Sequence, residues 1–275
     1  MVVQHNVTAM NANRQLGITT GIQSKSSEKL SSGYKINRAA DDAAGLAISE
    51  KMRRQVRGLN QASANAQDGI SAVQTAEGAL NEVHDMLQRM NELATKAAND
   101  TLTSDDRNYI KSEIQALTSE IDRTASATEF NNQKLLNGDF ANKKLQVGTE
   151  TTDDDTISIS ISEMKATKIG LDAAENVDVS SNSKAQQTIT NIKAAIVSVS
   201  TQRSNLGAIQ NRLEHTIKNL DNVAENTQAA ESAVRDTDMA SEMVKYSNNN
   251  ILAQAGQSML AQANQTNQGV LSLLG

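Results

Sequence analysis

An uninterrupted stripe of apolar residues between positions 48 and 97 constrains the fold more than any other feature of this sequence. Its members recur three or four positions apart, with a mean spacing of about 3.5 residues. This period is typical of helices that supercoil around a partner helix. The stripe consists of Ile48, Met52, Val56, Leu59, Ala62, Ala66, Ile70, Val73, Ala76, Leu80, Val83, Leu87, Met90, Ala94 and Ala97.

The length of this stripe predicts a single helix over residues 42–99. At 1.5 Å per residue, a helix of about fifty-five residues spans roughly 80 Å, which exceeds the diameter of a compact domain of this size. We therefore expect a rod of long helices. Many stripe residues are alanines, which allow the axes of neighbouring helices to approach closely.

The composition agrees with long helices and excludes several functional classes. The chain has no proline and no cysteine, and aromatic residues make up 2% of it. Without proline nothing interrupts a helix by ring geometry, and without cysteine there are no disulfides, thiolate metal sites or cysteine nucleophiles. The net charge of −6 provides no basic surface for nucleic acid or anionic membranes, so neither is expected as a partner.

The sequence also lacks the patterns of catalytic and metal sites. Its three histidines lie far apart, and no His-Glu-x-x-His motif occurs. Helix caps and solvated loops account for the acidic clusters near residues 41–42, 153–155 and 236–238. We therefore expect no enzymatic activity, no metal and no cofactor.

Four further helices are predicted around the long one. Residues 4–31 form a helix that stops at Gly33, and Asp41 or Asp42 is placed to cap the long helix. Residues 103–106 open a short helix with carboxylates in its first turn. A second stripe of period 3.5 over residues 189–234 includes Gln202 and predicts the antiparallel partner of the first long helix. Residues 235–238 interrupt it before a last helix.

Residues 128–170 follow a different period, which predicts one or two β-hairpins. Asn137-Gly138 is a tight-turn signal, and residues 156–161 alternate strictly between polar and isoleucine side chains. The acidic run at residues 153–155 is expected to be a solvated loop between strands. The predicted fold class is therefore mostly α, a long antiparallel coiled-coil-like rod with a small β-hairpin element and paired N and C termini.

Both terminal helices carry thin apolar stripes, so neither is expected to be stable alone. Their regular spacing suggests that they become ordered by packing against copies of the same chain. A head-to-tail contact whose rotation does not close generates a helical filament. The residues expected to form the core of such a polymer are Val3, Val7, Met10, Ile18, Ile22, Leu252, Met259, Ala263, Val270, Leu273 and Leu274.

Several long stretches of the sequence resemble bacterial flagellin. In the N-terminal half they include residues 31–38, 41–48 (Asp-Asp-Ala-Ala-Gly-Leu-Ala-Ile), 67–71 and 74–80 (Gln-Thr-Ala-Glu-Gly-Ala-Leu). In the C-terminal half they include residues 206–217, 235–240 (Arg-Asp-Thr-Asp-Met-Ala) and 261–264. The resemblance therefore covers essentially the whole chain.

The resemblance implies a short flagellin with two parts. Residues 1–41 and 236–275 correspond to D0, the terminal helices and connector of the filament core, and residues 42–235 to D1, with the β-hairpin region at about 128–170. It also implies a homopolymer in the extracellular flagellar filament that serves swimming motility. The implied partners are a flagellar export chaperone, the filament cap and the hook–filament junction proteins.

The same resemblance implies export through the flagellar type III route without a cleaved signal peptide. The first residues agree with this expectation, because no basic segment followed by an apolar run is present. An alternative with the same chain ends is a flagellin-like hook–filament junction protein or a secreted adhesin. The junction protein is not expected to match residues 41–48 so closely.

Flagellins are sensed by an animal Toll-like receptor, and the resemblance extends to positions that contact it. Arg89, Leu93 and Glu113 match these positions, and Gln88 and Glu92 lie beside them. Leu87 and Met90 belong to the buried stripe, so Gln88, Arg89 and Glu92 project from other faces of the helix. Without a receptor, the simplest interpretation is an exposed ion pair between Arg89 and Glu92.

Overall fold

The computed structural model describes residues 6–172 and 177–274, and for residues 266–274 it describes the backbone only. The described part contains five α-helices and four short strands. In chain order they are α1 (Val7–Ser32), α2 (Ala43–Ala97), α3 (Ser104–Ala127), β1 (Glu129–Phe130), β2 (Gln133–Lys134), β3 (Lys143–Gln146), β4 (Thr156–Ile159), α4 (Asn182–Arg235) and α5 (Met239–Leu274). The predicted class, mostly α with long packed helices and a small β element, is confirmed.

The chain forms two compact units. The first consists of the residues up to Val56 together with those from Asn226 onwards, and the second is Arg57–Glu225. Helices α2 and α4 each contribute residues to both units. The division expected from the resemblance, at residues 41/42 and 235/236, stays a prediction.

The core of the second unit is built on the α2 stripe. From Leu59 to Ala97 every stripe residue is buried, as the 3.5-residue period predicts. Isoleucines and leucines of α3 and α4 complete this core, including Ile114, Ile192 and Leu206, which have no exposed surface. Burying apolar surface at about 25 cal/mol per Å² makes this cluster the main stabilising contribution to the unit.

Helices α2 and α4 run antiparallel in the second unit. Near the start of this stretch of α2, Leu59 and Ala62 form one buried cluster with Leu220 and Ala224 near the end of α4. At the other end the Asn182 side chain, at the first residue of α4, donates a hydrogen bond to the Ala98 carbonyl just after α2. The predicted pairing of the two long helices is confirmed.

The first stripe member departs from the prediction. Ile48 is 48% exposed, and its neighbour Ser49 is fully buried instead. The cause is the connector before α2, because Ile36 packs so closely on Gly45 that an added Cβ would lie 2.7 Å from Ile36 Cδ1. This contact directs the face containing Gly45 and Ser49 inward, and Ile48 points outward.

The caps predicted for α2 and α3 are present. Asp42 accepts a hydrogen bond from the Gly45 backbone N–H at 2.9 Å. The Thr103 hydroxyl accepts one from the Asp106 N–H at 3.3 Å, and the Asp106 carboxylate accepts one from the Thr103 N–H at 3.1 Å. This reciprocal capping box satisfies two donors at the start of α3.

The β region forms two hairpins, but its first tight turn is not the predicted one. β1 and β2 are joined by Asn131 and Asn132, whose φ angles of 48° and 60° are those of a type I′ turn. Asn137-Gly138 lies in a bend between the two hairpins, although Gly138 has the positive φ expected of a turn glycine. The preceding Leu136 is buried, and its carbonyl accepts a hydrogen bond from the Met164 N–H, so this segment pairs with a later part of the chain.

The second hairpin agrees with the predicted alternation. β3 pairs antiparallel with β4, and Ile157, Ile159 and Ile161 are buried on one side. The acidic run Asp153–Asp155 lies between the strands as one turn of 3-10 helix. The Asp155 carboxylate accepts a hydrogen bond from the Glu150 N–H at 2.9 Å and thereby closes the loop.

One polar member of the α4 stripe has a specific partner in the β region. Gln202 is buried, and its side chain donates to the Ser160 carbonyl at 3.3 Å, joining α4 to the β region.

Before α4, Asp178 accepts hydrogen bonds from Lys184 Nζ at 2.6 Å and from the Ser180 N–H at 3.0 Å. The bond from Lys184 holds the pKa of Asp178 far below its ordinary value.

A core substitution tests the role of the α2 stripe. Leu80→Ala removes a fully buried side chain, and we expect it to lower the free energy of unfolding by about 2–5 kcal/mol. Val197→Ala on α4 is the control, because Val197 is exposed and its truncation leaves no cavity. Urea unfolding followed by circular dichroism measures both. Equal losses in the two variants would contradict the assigned core.

Candidate functional site

The helices at the two ends of the chain pair with each other in the first unit. Near the start of α1, the Asn6 side chain donates to the Ala263 carbonyl at 3.0 Å, while Asn6 also caps α1 by accepting from the Ala9 N–H. Further along, Leu16 packs against Gly256, where an added Cβ would lie 3.3 Å from Leu16 Cδ1. The order of these contacts shows that α1 and α5 run antiparallel, so the predicted pairing of the terminal helices is confirmed.

The side chains along this seam are mostly small or polar. On both helices the less exposed positions recur three and four residues apart, as in a heptad seam. They are Ala9, Ala12, Leu16, Thr19, Gln23, Ser26 and Leu30 on α1, and Glu242, Tyr246, Asn249, Ala253, Gly256, Leu260 and Ala263 on α5. Pairing within one chain therefore buries little of the apolar surface of these helices.

Most of the large apolar side chains that the structure describes on α1 and α5 are instead exposed. Met10 is 65% exposed and Met259 is 62% exposed. Among the side chains that the structure describes, the exposed set is Val7, Met10, Ile18 and Ile22 on α1, with Met239, Met243, Val244, Ile251, Leu252 and Met259 on α5. Exposed large apolar residues concentrated on one element are a common sign of an interaction surface. We call this set the terminal apolar surface.

Six of the residues predicted to form a polymer core belong to the terminal apolar surface. They are Val7, Met10, Ile18, Ile22, Leu252 and Met259. Ala263 is half-buried in the seam. Val3 lies outside the described residues, and the side chains of Val270, Leu273 and Leu274 lie outside the described part of α5. The predicted role of these residues in assembly stays a prediction.

A buried charge lies at one end of the seam. Glu242 is 5% exposed, and it accepts a hydrogen bond from the buried Ser26 hydroxyl, which lowers the pKa of Glu242. Lys245 lies 3.3 Å from the same carboxylate and lowers this pKa further. A buried charge needs such partners, because burial without them favours the neutral form. The partners keep Glu242 ionised within the helix pair.

The connectors next to these helices also pair, which sequence analysis did not predict. The Lys35 N–H donates to the Arg235 carbonyl at 2.7 Å, and the Thr237 N–H donates to the Gly33 carbonyl at 3.0 Å. Gly33 ends α1 in the left-handed conformation, with a φ of 76°, as its predicted stop requires. The two segments pair through an antiparallel β-bridge between Tyr34 and Asp236.

Two side-chain contacts of Arg235 hold the paired connectors together. Its guanidinium lies 4.6 Å from the centroid of the Tyr34 ring, in a cation–π contact. It also donates to the Glu50 carboxylate at 2.7 Å. The only sequence signal for this role is that Arg235 begins the break in the α4 stripe, and a pattern of that kind does not identify its distant partners.

A second candidate surface is a cleft between α2 and α3 in the second unit. Arg89 donates to Glu113 at 3.0 Å and to Glu92 at 3.2 Å, and both bonds raise its pKa, Glu113 having the larger effect. The predicted ion pair between Arg89 and Glu92 is therefore present, with Glu113 as an additional partner. The cleft encloses about 360 Å³ and is lined by Arg89, Glu92, Leu93, Lys96, Leu102, Asp106, Tyr109, Ile110 and Glu113.

The structure brings together four of the five predicted receptor-contact residues in this cleft. Arg89, Glu92 and Glu113 are exposed, whereas Leu93 is 4% exposed and belongs to the core. Gln88 does not line the cleft, and its amide nitrogen lies 2.8 Å from His84 Nε2. Tyr109, which was not predicted, is exposed at the rim of the cleft.

Other kinds of site find no support in the described residues. Within residues 6–172 and 177–274, no group of three or more His, Asp or Glu side chains is placed to hold a metal ion. None of the helices described combines the length and apolar character needed to cross a bilayer.

Family comparisons match both halves of the chain. The model of the bacterial flagellin N-terminal helical region matches residues 3–141, and that of the bacterial flagellin C-terminal helical region matches residues 189–274. A flagellin of Halalkalibacterium halodurans is 52% identical over 278 residues, and a flagellin of Bacillus subtilis is 46% identical over 308 residues. Both alignments cover 100% of this chain and 100% of the relative.

Two solved structures are similar over part of the chain. A crystal structure of Bacillus cereus flagellin is 26% identical, covers 57% of this chain and 88% of its own, and has a TM-score of 0.50. A putative flagellar hook-associated protein from Vibrio parahaemolyticus has a TM-score of 0.58 over 71% of this chain and 100% of its own. Its sequence identity is 14%, so this second likeness concerns the fold alone.

The antiparallel seam can be tested by engineered disulfides, because the chain has no cysteine of its own. A Cβ at position 256 would lie 3.8 Å from Leu16 Cβ, which is the separation found in disulfides. We expect Leu16→Cys/Gly256→Cys to form an intramolecular disulfide. Non-reducing electrophoresis and intact mass measure it.

The control for this experiment is Leu16→Cys/Gln257→Cys, because Gln257 is exposed outside the seam. We expect it to cross-link slowly under the same oxidising conditions. Equal cross-linking in the two variants would show that α1 and α5 are not held in this register.

Proposed function

This chain belongs to the bacterial flagellin family, and from that premise we propose that its terminal helices polymerise into the core of a flagellar filament for swimming. Membership in this family makes the protein a structural subunit of a homopolymeric filament outside the cell. The terminal apolar surface is the single observation that supports the assignment of assembly to α1 and α5. This surface identifies which residues of the chain would form the contacts between subunits.

The energetic argument rests on what the helix pair leaves unburied. A fully buried aliphatic or methionine side chain contributes about 1.5–3 kcal/mol relative to an exposed one. The terminal apolar surface has ten such side chains exposed on α1 and α5. Contacts between copies would bury them and offset the entropy of ordering two helices whose own seam is small and polar.

The same contacts explain how one kind of subunit can build a long structure. Antiparallel pairing places the apolar residues of both chain ends on one helical pair. Each copy therefore exposes an apolar surface that can pack against the same helices of the next copy. A contact of this kind, repeated with a rotation that does not close, generates a helical filament. The assembled surface would be buried, as expected for a filament core.

The proposal also includes the export route of the subunit and the place where it assembles. We expect export through the flagellar type III route without a cleaved signal peptide, aided by a flagellar export chaperone. Assembly would occur beneath the filament cap on top of the hook–filament junction proteins. Membership in a family of structural proteins supports the absence of enzymatic activity. The 52% identity to a flagellin over the full chain favours a filament subunit over a junction protein or adhesin.

Seeded growth tests the assignment of assembly to the terminal helices. Purified protein with short filament seeds should grow long tubes in negative-stain electron microscopy. Ile18→Asp/Leu252→Asp places two charges on exposed positions of the free chain, so we expect it to fold and not to assemble, because burying unpaired charges is unfavourable. Removal of residues 252–275 should likewise leave the second unit folded and abolish growth.

The matched control is Ile18→Leu/Leu252→Met, which keeps both positions apolar and should grow as the wild type does. The Leu16/Gly256 cross-link introduced into the aspartate variant reports whether α1 and α5 still pair. Normal growth of the aspartate variant or of the truncated chain would rule out the terminal helices as the polymer core.

We also propose that the free subunit is sensed by the animal Toll-like receptor for flagellin through the α2–α3 cleft. The supporting observation is that Arg89, Glu92 and Glu113 form one hydrogen-bonded cluster that remains exposed beside Leu93. Charged groups already positioned by each other lose little side-chain entropy when a partner binds. Arg89 is also a residue type enriched at interface hot spots.

Receptor-dependent reporter cells test this second proposal. We expect Arg89→Ala to reduce signalling by about tenfold or more and to leave the urea unfolding midpoint unchanged. Arg123→Ala is the control, because Arg123 forms a comparable exposed ion pair with Glu120 on α3 outside the cleft. Equal signalling by the two variants, or none by the wild type, would reject recognition through the cleft.

A further inference from the structure

Methionine side chains are distributed unevenly with respect to burial. The chain has nine methionines. Of the methionines that the structure describes, four are exposed, namely Met10, Met239, Met243 and Met259, and all four lie on α1 or α5. In the second unit, Met90 has no exposed surface and Met164 has 5%. A large part of the terminal apolar surface is therefore made of thioether side chains.

Met10 and Met259 occupy the same level of the helix pair. Asn6 contacts Ala263, and Leu16 packs against Gly256, so the antiparallel register between these two contacts places residue 10 of α1 opposite the turn of α5 that contains residue 259. Neither residue belongs to the seam, and each exposes more than half of its surface. This level of the pair thus presents two thioethers to the surroundings.

We propose that Met10 and Met259 form an oxidation site that controls assembly. Oxidation of these thioethers by a peroxide in the free subunit blocks polymerisation, and burial in the filament protects them. This inference rests on the proposed function, because it requires that the turns of α1 and α5 containing Met10 and Met259 lie in the contact between copies. It adds a chemical modification that the filament assignment does not require.

The reaction needs only the thioether and a hydroperoxide. The sulfur lone pair attacks one peroxide oxygen, the O–O bond breaks, and a sulfur–oxygen bond forms. Sulfur is oxidised by two electrons, and with hydrogen peroxide the proton of the transferred hydroxyl passes to the leaving hydroxide, which departs as water. The product is methionine sulfoxide, which methionine sulfoxide reductases convert back to the thioether.

The consequence for assembly follows from the change in polarity. A sulfoxide is a strong hydrogen-bond acceptor, and placing it in an apolar contact without a donor is unfavourable. The free chain tolerates it, because both side chains lie outside the seam and point away from the α1–α5 contact. The modification therefore acts on the contact between copies and leaves the fold of the monomer intact.

Rates of oxidation should follow exposure. In dilute hydrogen peroxide we expect Met10 and Met259 of the free subunit to be oxidised well before Met90 and Met164. In assembled filaments we expect Met10 and Met259 to be protected. Peptide mass spectrometry measures the added oxygen at each position. Oxidation of Met10 and Met259 at equal rates in filaments and free subunits would overturn the proposal.

Seeded growth after oxidation measures the effect on function. We expect peroxide-treated wild type to show a critical concentration for growth raised roughly tenfold or more. Treatment with both methionine sulfoxide reductases should restore it. Met10→Leu/Met259→Leu keeps the surface apolar and should grow normally before peroxide. After peroxide it should lose much less growth than the wild type, because only Met239 and Met243 of the terminal apolar surface can still be oxidised. Met239→Leu/Met243→Leu is the matched control, which should still lose growth after peroxide.

The outcomes separate this inference from the proposed function. If untreated wild type fails to grow from seeds, the proposed function fails and the inference fails with it. If untreated protein grows and oxidised wild type grows equally well, only the inference is wrong. If Met10→Leu/Met259→Leu loses growth after peroxide as the wild type does, the sensitive residues lie elsewhere and the inference is also wrong. Circular dichroism of the oxidised monomer checks that its fold is retained.

Discussion

The pairing of α1 with α5 through small and polar side chains is the constraint on which the proposed assembly of this protein depends. A seam that includes Gly256, Ala253 and Thr19 lets the two helices lie close together, but it buries little apolar surface. Ser26 and Glu242 add a buried polar contact of the kind that specifies helix register more than stability. The pair therefore has a defined register, while most of its described large apolar side chains stay exposed.

The second unit has the opposite character. Its helices place leucine, isoleucine and valine on the seam, and the β region adds residues such as Leu135 and Ile159, which are fully buried. The core of this unit is complete within one chain, whereas the helix pair leaves most of its described large apolar residues exposed. One chain thus combines a unit with a large apolar core and a helix pair with exposed large apolar residues, which agrees with the proposed assembly through α1 and α5.

The choice of residues on the outer surface of the terminal pair has chemical consequences. Methionine is flexible and fills irregular contacts well, which suits a surface that must fit several neighbours in a polymer. The same side chain is open to oxidation while it is exposed.

The α2–α3 cleft differs, because its charged groups form hydrogen bonds with each other and it is lined by a buried leucine, Leu93. The two surfaces are therefore suited to different partners.

The sequence by itself determined the helices, their caps and the residues of the long stripe from Leu59 to Ala97, because these depend on local periodicity and on side chains within one turn. It also identified the apolar residues of the terminal helices, but not which face of each helix the chain uses for its own pairing. Only the tertiary structure decided that Ser49 is buried in place of Ile48, and that Arg235 binds Tyr34 and Glu50. These outcomes depend on contacts between residues distant in sequence, and a periodic pattern cannot specify such contacts because several partners satisfy it equally well.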